Sequence, residues 1–211
     1  MSTLHLNLTK PGETPRKLAL NLTKAERFKV RLGWEGTTDL DLHALVCINH
    51  GDGAKASSFE DILSTYNVRR RIGGSEVGTL VKRSDGSFAV HDGALVHSPD
   101  ATDGNTLEVD EWIDIDPARL TPAPGAVLEI PLIAMIHQAT PTKRLRDVQQ
   151  AWVSIDNVAG TTLLKVQLSQ QFAEFVGVQA GSIMMDATGT HFVPVGVGFN
   201  GDFNSVLEHF S

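Results

Sequence analysis

The sequence predicts an all-β protein, a single-domain antiparallel β-sandwich with a few short helices. Many short segments alternate apolar and polar residues with the period of a half-buried strand. Glycine- and proline-rich turns separate these segments at short intervals, which is typical of sandwiches. The 211 residues are 41% hydrophobic and 20% charged, which excludes an intrinsically disordered chain. We predict one domain over residues 1–211, with an inserted hairpin or loop region around residues 69–92.

Two near-copies of one short strand open the chain. Residues 4–10 read Leu-His-Leu-Asn-Leu-Thr-Lys, and residues 18–24 read Leu-Ala-Leu-Asn-Leu-Thr-Lys. The linker 11–15 contains two prolines and a glycine, which are typical of a turn. Because two copies are too few for a solenoid, we predict a pair of antiparallel or adjacent edge strands.

The remaining elements follow in chain order. Strand-like segments lie at 28–32, 45–48, 88–90, 127–136, 152–155, 163–168, 182–185 and 191–195. Pro131 removes a backbone donor from the most apolar of these, which predicts a bulge or an exposed edge. Short helices are predicted at 142–150, 170–175 and 204–210, the last with Asn204 as its N-cap.

The net charge of −7 is unevenly distributed. Residues 84–118 contain nine of the 25 acidic residues and neither lysine nor arginine. A cluster of one sign repels itself, contacts a basic partner or binds cations. The alternative is a solvated loop and strand face. Asp114 and Asp116 lie outside the segment 97–111 and are expected to face solvent.

The sharpest candidate site is the pair Asp39 and Asp41 just ahead of a strand. Strand alternation places both carboxylates on one face, about 7 Å apart. Calcium takes about 6–8 oxygen ligands, so a loop would have to supply more, although the spacing is not that of an EF-hand. The loop that follows residue 97 offers further oxygen ligands: Asp100, Asp103, Asn105, Asp110 and Glu111.

Other motifs do not predict chemistry. The chain has no nucleophile elbow, P-loop or zinc spacing, and Cys47 lies in an apolar run typical of a buried small side chain. His137 ends the most apolar strand and is interpreted as a polar cap or a distal ligand. We therefore predict that the protein is not an enzyme.

Two classes of partner are also not expected. The basic residues 69–71 and 82–83 lack interleaved aromatic residues, and the net charge is negative, so nucleic acid is a poor match. No apolar run approaches the roughly 20 residues of a transmembrane helix. The N-terminus has no signal-peptide pattern.

The order and spacing of several short motifs resemble the TerD family of tellurium-resistance and stress-response proteins. The motifs are the paired strands 6–10 and 20–24, Leu32-Gly33-Trp34 followed by Asp39-Leu40-Asp41-Leu42, Tyr66-Asn67, the loop 97–111, residues 136–139 and 148–153, and the C-terminal segment 181–198.

This resemblance implies a β-sandwich with a pair of calcium ions near one edge. The positions that match the family's acidic or amide ligands are Asp39, Asp41, Asn67, Asp100, Asp110 and Glu111. His97 falls where the family carries a histidine. Asp103 has no family counterpart. Gln138 replaces an acid, and residues 99, 107 and 109 also depart from the pattern, so we expect one or two calcium ions.

Two functions follow from these expectations. The first is a non-catalytic, TerD-like calcium-binding module that acts through protein partners in bacterial stress response, including tellurite resistance, or in phage defence. The alternative is a structural or adaptor subunit of a phage particle or another large assembly, with a partly lost metal site. The first implies a cytoplasmic location, and the second a virion.

Overall fold

The computed structural model describes residues 3–6, 14, 16–20, 22, 25–104, 110–120, 125–138, 142–168 and 172–211. The predicted turn 11–15 and the candidate ligand Asn105 therefore lie largely or wholly outside the described residues. The strands are β1 (Leu4–Leu6), β2 (Leu18–Ala19), β3 (Phe28–Glu35), β4 (Leu40–Leu45), β5 (Cys47–Asn49), β6 (Ala54–Lys55), β7 (Ile62–Leu63), β8 (Arg70–Ile72), β9 (Ser75–Val77), β10 (Phe88–Val90), β11 (Leu95–His97), β12 (Glu111–Ile115), β13 (Val127–Ile136), β14 (Gln149–Asn157), β15 (Thr162–Gln167), β16 (Gly177–Asp186), β17 (Gly189–Val193) and β18 (Val197–Phe199).

Helices are short. An α-helix, α1, covers Phe203–Leu207, and the 3₁₀ helices are Phe59–Asp61, Thr65–Asn67, His91–Gly93, Pro117–Arg119, Leu145–Asp147 and Glu208–Phe210. No helix in the described ranges is long and apolar enough to cross a membrane.

The strands form two main sheets and a separate hairpin. Across the described residues, the first sheet has the order β1-β15-β14-β3-β12-β11-β10, and the second has the order β2-β17-β16-β13-β4-β7 with β5, β6 and β18 attached. Strands β8 and β9 pair only with each other. Pairing in the two main sheets is antiparallel except for β1 with β15. The all-β sandwich prediction is confirmed.

Several local predictions were wrong. The duplicated strands are not neighbours, because β1 pairs with β15 in one sheet and β2 pairs with β17 in the other. Within the predicted helix 142–150, a single 3₁₀ turn leads into β14 at Gln149, because pairing with β3 extends that strand. The C-terminal helix is capped by Asp202, whose side chain accepts from the Ser205 N–H, rather than by Asn204. The described part of the predicted helix 170–175 is not helical.

The prediction at Pro131 was correct. The register between β13 and β16 shifts between Leu132 and Ile133, directly after Pro131. On its other side, β13 pairs with β5 up to Glu129 and with β4 from Leu132, so Pro131 lies between the two pairings. The missing N–H therefore falls where the ladder is interrupted.

Strand β4 is buried on both faces, and this positions the candidate site. Leu40, Leu42 and Ala44 face the main core between the two sheets. The alternate residues of β4 face the opposite side, where Leu45 packs in a second apolar cluster with Phe203 and other C-terminal residues. Any acidic residue on this second face of β4 is therefore covered by other parts of the chain.

Candidate metal centre

Three carboxylates from three different segments converge beside β4. Asp41 comes from the middle of β4, Glu111 begins β12 of the opposite sheet, and Asp100 lies in the loop after β11. One carboxylate oxygen from each lies within 4.8 Å of the other two. Asp41 and Glu111 are buried, whereas Asp100 is exposed.

The loop that carries Asp100 is anchored at two points. The Ser98 N–H donates to the Trp112 carbonyl at 2.9 Å, and the Gly104 N–H donates to the Gly36 carbonyl at 2.9 Å. A Cβ on Gly104 would lie 2.4 Å from the Trp34 side chain and 2.6 Å from the Trp34 carbonyl. Only glycine therefore allows this close contact between the loop and the end of β3.

Glu111 bridges the two sheets through hydrogen bonds to backbone. Its Oε2 accepts from the Leu42 N–H at 2.7 Å, and its Oε1 accepts from the Ala101 N–H at 3.3 Å. Strand β7 pairs with β4 only at Ala44 and Leu45, which leaves Leu42 at a free edge. Burial, followed by the charge of Asp41, raises the pKa of Glu111 well above its usual value.

Asp41 is covered by two hydroxyl groups from the segment after β7. Thr65 Oγ1 donates to Asp41 Oδ1 at 3.2 Å, and the Tyr66 hydroxyl donates to Asp41 Oδ2 at 3.3 Å. The residue is fully buried. Burial, followed by the charges of Asp39 and Asp100, raises the pKa of Asp41 well above its usual value, and the two hydroxyl bonds only partly offset this.

His97 completes the contact between the sheets. Its Nε2 lies 2.8 Å from the Leu42 carbonyl and 3.6 Å from Glu111 Oε2, and its Nδ1 lies 2.8 Å from the Ser98 carbonyl. Burial lowers the pKa of His97, although the bonds to the two carbonyls oppose the shift. His97 and Glu111 together satisfy both backbone groups of Leu42.

Asp39 lies next to the three-carboxylate cluster. Its Oδ2 is 3.5 Å from His137 Nδ1, and its buried Oδ1 has no hydrogen-bond partner among the described residues. Burial raises the pKa of Asp39, the charge of His137 opposes this, and Asp100 and Asp103 raise it further. A buried carboxylate oxygen without a donor is suited to a cation.

The remaining predicted ligands have different surroundings. The Asn67 amide donates to the carbonyls of Phe59 and Ile62 and accepts from Thr79, so it fixes the chain before the β8–β9 hairpin. Asp110 Oδ2 accepts from the Trp34 N–H at 3.0 Å. Asp103 is exposed.

Two residues of the site were not identified as functional from sequence. Thr65 and Tyr66 follow Asp41 by more than twenty positions, and no periodicity links them to it. Tyr66 also accepts from the Gln138 N–H at 2.8 Å and stacks on His137 with ring centroids 5.3 Å apart. Its hydroxyl thereby connects Asp41 to the end of β13.

The donor set fits a hard divalent cation. The converging atoms are carboxylate oxygens, and none of the three clustered residues is a cysteine or a histidine. Carboxylate sites of this kind suit calcium, magnesium or manganese rather than zinc or copper. The fold and the site together define an all-β sandwich protein with a candidate oxygen-ligand metal centre beside β4.

Comparison with known proteins agrees with this class. The model of the TerD domain matches residues 86–210, which is more than half of the chain. The protein therefore belongs to the TerD family. No curated protein sequence matches the chain at a significant level.

Two solved structures share the fold. SAV2460, a protein of unknown function, superposes with a TM-score of 0.60 at 16% identity, covering 88% of this chain and 96% of its own. SCO6318 from Streptomyces coelicolor A3(2), a homologue of telluride resistance protein TerD, gives a TM-score of 0.59 at 18% identity, covering 87% and 95%. At these identities the likeness shows the fold alone.

Proposed function

We propose that this protein is a non-catalytic calcium-binding module that acts through protein partners in the stress responses associated with its family. The observation that carries the calcium proposal is the convergence of Asp41, Asp100 and Glu111 within 4.8 Å. Membership of the TerD family supports the setting, a tellurite or related stress response.

The electrostatics of the cluster favour an external cation. Among the described residues, no lysine or arginine forms an ion pair with Asp41, Asp100 or Glu111. Two of these carboxylates are buried, and bringing ionised groups together in a poorly solvated site is unfavourable unless a positive charge offsets them. A divalent cation supplies that charge, and the charge of Asp39, which contributes to the raised pKa of Asp41, adds to the negative charge that must be offset.

The cation would have a structural effect as well. Asp41 belongs to one sheet, Glu111 begins a strand of the other, and Asp100 lies in the connecting loop. An ion held by all three would fix the two sheets and the loop in one arrangement. The exposed side of this loop is then a defined surface for a protein partner.

Calorimetric titration of calcium into chelator-treated protein tests the proposal. We expect saturable binding by the wild type, and about 2.7 kcal/mol of added stability at a free calcium concentration of 100 times Kd. Glu111→Gln removes one ligand charge while keeping an oxygen for the Leu42 N–H, so binding should be lost or weakened at least about tenfold.

The matched control is Asp114→Asn. Asp114 lies in the same strand as Glu111, and its half-exposed side chain is 3.5 Å from Lys29, so this variant should bind calcium as the wild type does. The proposal is wrong if millimolar calcium, about the weakest range of natural calcium modules, gives neither heat nor a rise in Tm.

A further inference from the structure

A second feature lies directly beside the carboxylate cluster. A cavity of about 560 Å³ opens there, within the range of about 300–1,000 Å³ that is typical of small-molecule sites. It lies between the segment that covers Asp41, the start of the β8–β9 hairpin and the end of β13. Six of its lining residues carry the argument: Tyr66, Arg69, Arg70, Lys82, Asp100 and His137.

Three of these residues are cations, although the chain as a whole carries a net charge of −7. Arg70 Nη1 donates to the carbonyls of Tyr66 at 2.6 Å and Val68 at 3.2 Å, which holds its guanidinium near the cavity. Arg69 and Lys82 form no ion pair within the described residues. A cavity wall with three unpaired cations attracts an anion.

The planar guanidinium groups of the two arginines and the ammonium group of the lysine suit phosphate better than other anions. Arginine presents several N–H donors in a fork that matches the oxygens of a phosphate, and lysine adds a compact positive charge. These positions come from the two basic sequence runs, 69–71 and 82–83, which the fold brings to one cavity. The spacing in sequence alone does not show this proximity.

Asp100 connects this cavity to the candidate metal centre. It lines the cavity and also belongs to the three-carboxylate cluster. Without a cation, the negative charge of the cluster repels an anion in the cavity. A bound divalent cation offsets most of this negative charge, and open coordination positions of the ion can accept phosphate oxygens.

Another part of the wall is aromatic. The rings of Tyr66 and His137 stack with an interplanar angle of 10°, and both line the cavity. The lining thus combines a cationic part with a planar aromatic part. This combination suits a ligand that has both phosphate groups and a ring.

We propose that this cavity binds a phosphate-bearing small molecule of nucleotide size, with its phosphates held by Arg69, Arg70 and Lys82 and by the divalent cation at the carboxylate cluster. The inference rests on the proposed cation binding. It adds a ligand class that the cation site alone does not require.

The test is a calorimetric titration of adenosine diphosphate into the full-length protein in saturating calcium, with a blank titration that corrects for calcium complexed by the nucleotide. Adenosine, which lacks phosphates, should not bind measurably. Replacing calcium with a chelator should weaken nucleotide binding at least tenfold. Lys82→Ala and Arg69→Ala should each weaken it at least about tenfold, because each variant removes a charge-assisted hydrogen bond to a phosphate oxygen.

Arg71→Ala is the matched control. Arg71 is exposed in the same hairpin but does not line the cavity, so its removal changes the net charge equally and should leave binding within about twofold. Equal weakening by all three variants would indicate general charge attraction and overturn the proposal. Binding that is unchanged in chelator overturns it too.

The two proposals fail in different ways. If calcium binds alone but the nucleotide does not bind to the calcium-loaded protein, the cavity inference is wrong and the calcium module stands. If calcium alone does not bind, the calcium module is wrong, and the cation-bridged cavity is wrong with it.

Discussion

Two groups of aspartates and glutamates in this protein have opposite surroundings. At the turn between β16 and β17, Asp186 forms an ion pair with Lys17 and accepts from the Thr188 N–H at 2.7 Å. These bonds, led by that from Lys17, lower the pKa of Asp186. In the carboxylate cluster beside β4, burial raises the pKa values of Asp41 and Glu111. The charge of Asp186 is therefore offset by a lysine of the same chain, whereas no lysine or arginine of the described residues pairs with Asp41 or Glu111.

This difference separates structural acids from candidate ligands. Asp116 belongs with Asp186, because its carboxylate lies 2.8 Å from Arg27 and is largely covered. The expectation that Asp116 faces solvent was therefore wrong, whereas Asp114 is half exposed as expected. An acidic segment in the sequence thus contains acids of both kinds, and only the contacts distinguish them.

The largest effect is expected from a change that displaces the candidate ligands without removing a charge. Gly104→Ala should destabilise the protein by about 1–3 kcal/mol, a typical cost of overpacking, because its Cβ would overlap the Trp34 side chain and carbonyl. Since the same loop carries Asp100, calcium affinity should also fall. Chemical denaturation and calcium titration measure the two effects.

Gly160→Ala is the control for that variant. Gly160 has a positive φ of 76° and no atom near the added Cβ, so it imposes backbone strain in a turn after β14 and should leave calcium affinity unchanged. If Gly104→Ala keeps the wild-type calcium affinity, the loop does not position a ligand as described.

A smaller effect is expected from pH. The pKa values of Asp41 and Glu111 are raised in the folded protein. Protonation of these groups therefore increases the free energy of unfolding of the metal-free protein at low pH, and this stabilisation is lost as the pH rises through the raised pKa values. Calcium must displace these protons. The apparent affinity should therefore fall toward low pH, by about tenfold per pH unit for each proton displaced.

Thermal denaturation at pH 7.5 and pH 5.5, with and without calcium, measures this dependence. The rise in Tm caused by calcium should be larger at pH 7.5. An equal or larger rise at pH 5.5 would show that the ion does not compete with protons at buried carboxylates. It would contradict the distinction between Asp186 and the two buried acids as candidate ligands.

The smallest effect concerns the neutralised acid. Asp186→Asn keeps an oxygen for the Thr188 N–H but loses the charge partner of Lys17. We expect a loss of about 0.2–1 kcal/mol, as for other partly exposed ion pairs. The loss should shrink at high salt, and calcium binding should not change. Urea denaturation at two ionic strengths tests this, and a loss that is insensitive to salt would contradict it.

Much of the fold could be predicted from sequence because strand periodicity is a local property. The strand predicted at 45–48 is divided between the end of β4 and the start of β5, and Asp41 lies within β4 rather than ahead of a strand. The helix predicted at 142–150 failed because pairing with β3 extends β14 into that segment. The duplicated strands were separated because each pairs with a different distant strand, β15 or β17, which local sequence does not specify.

The candidate site was harder to predict from sequence, because local sequence does not specify which distant segments come into contact. Composition pointed to Asp41, Asp100 and Glu111, and the fold brings these three together. The family resemblance also pointed to Asn67, whose amide binds backbone carbonyls. The hydroxyls that cover Asp41 come from Thr65 and Tyr66, and the cationic wall of the neighbouring cavity comes from two separated basic runs. These contacts depend on tertiary packing.

The central claim is that the charge of the buried cluster is not offset within the chain. Thermal denaturation of metal-free and calcium-saturated wild type and Asp41→Asn at pH 7.5 tests it most directly. We predict that the metal-free variant has a higher Tm than the metal-free wild type, and that saturating calcium reverses this order by stabilising only the wild type. A metal-free Asp41→Asn variant with a lower Tm than the wild type, and an unchanged response to calcium, would contradict the claim.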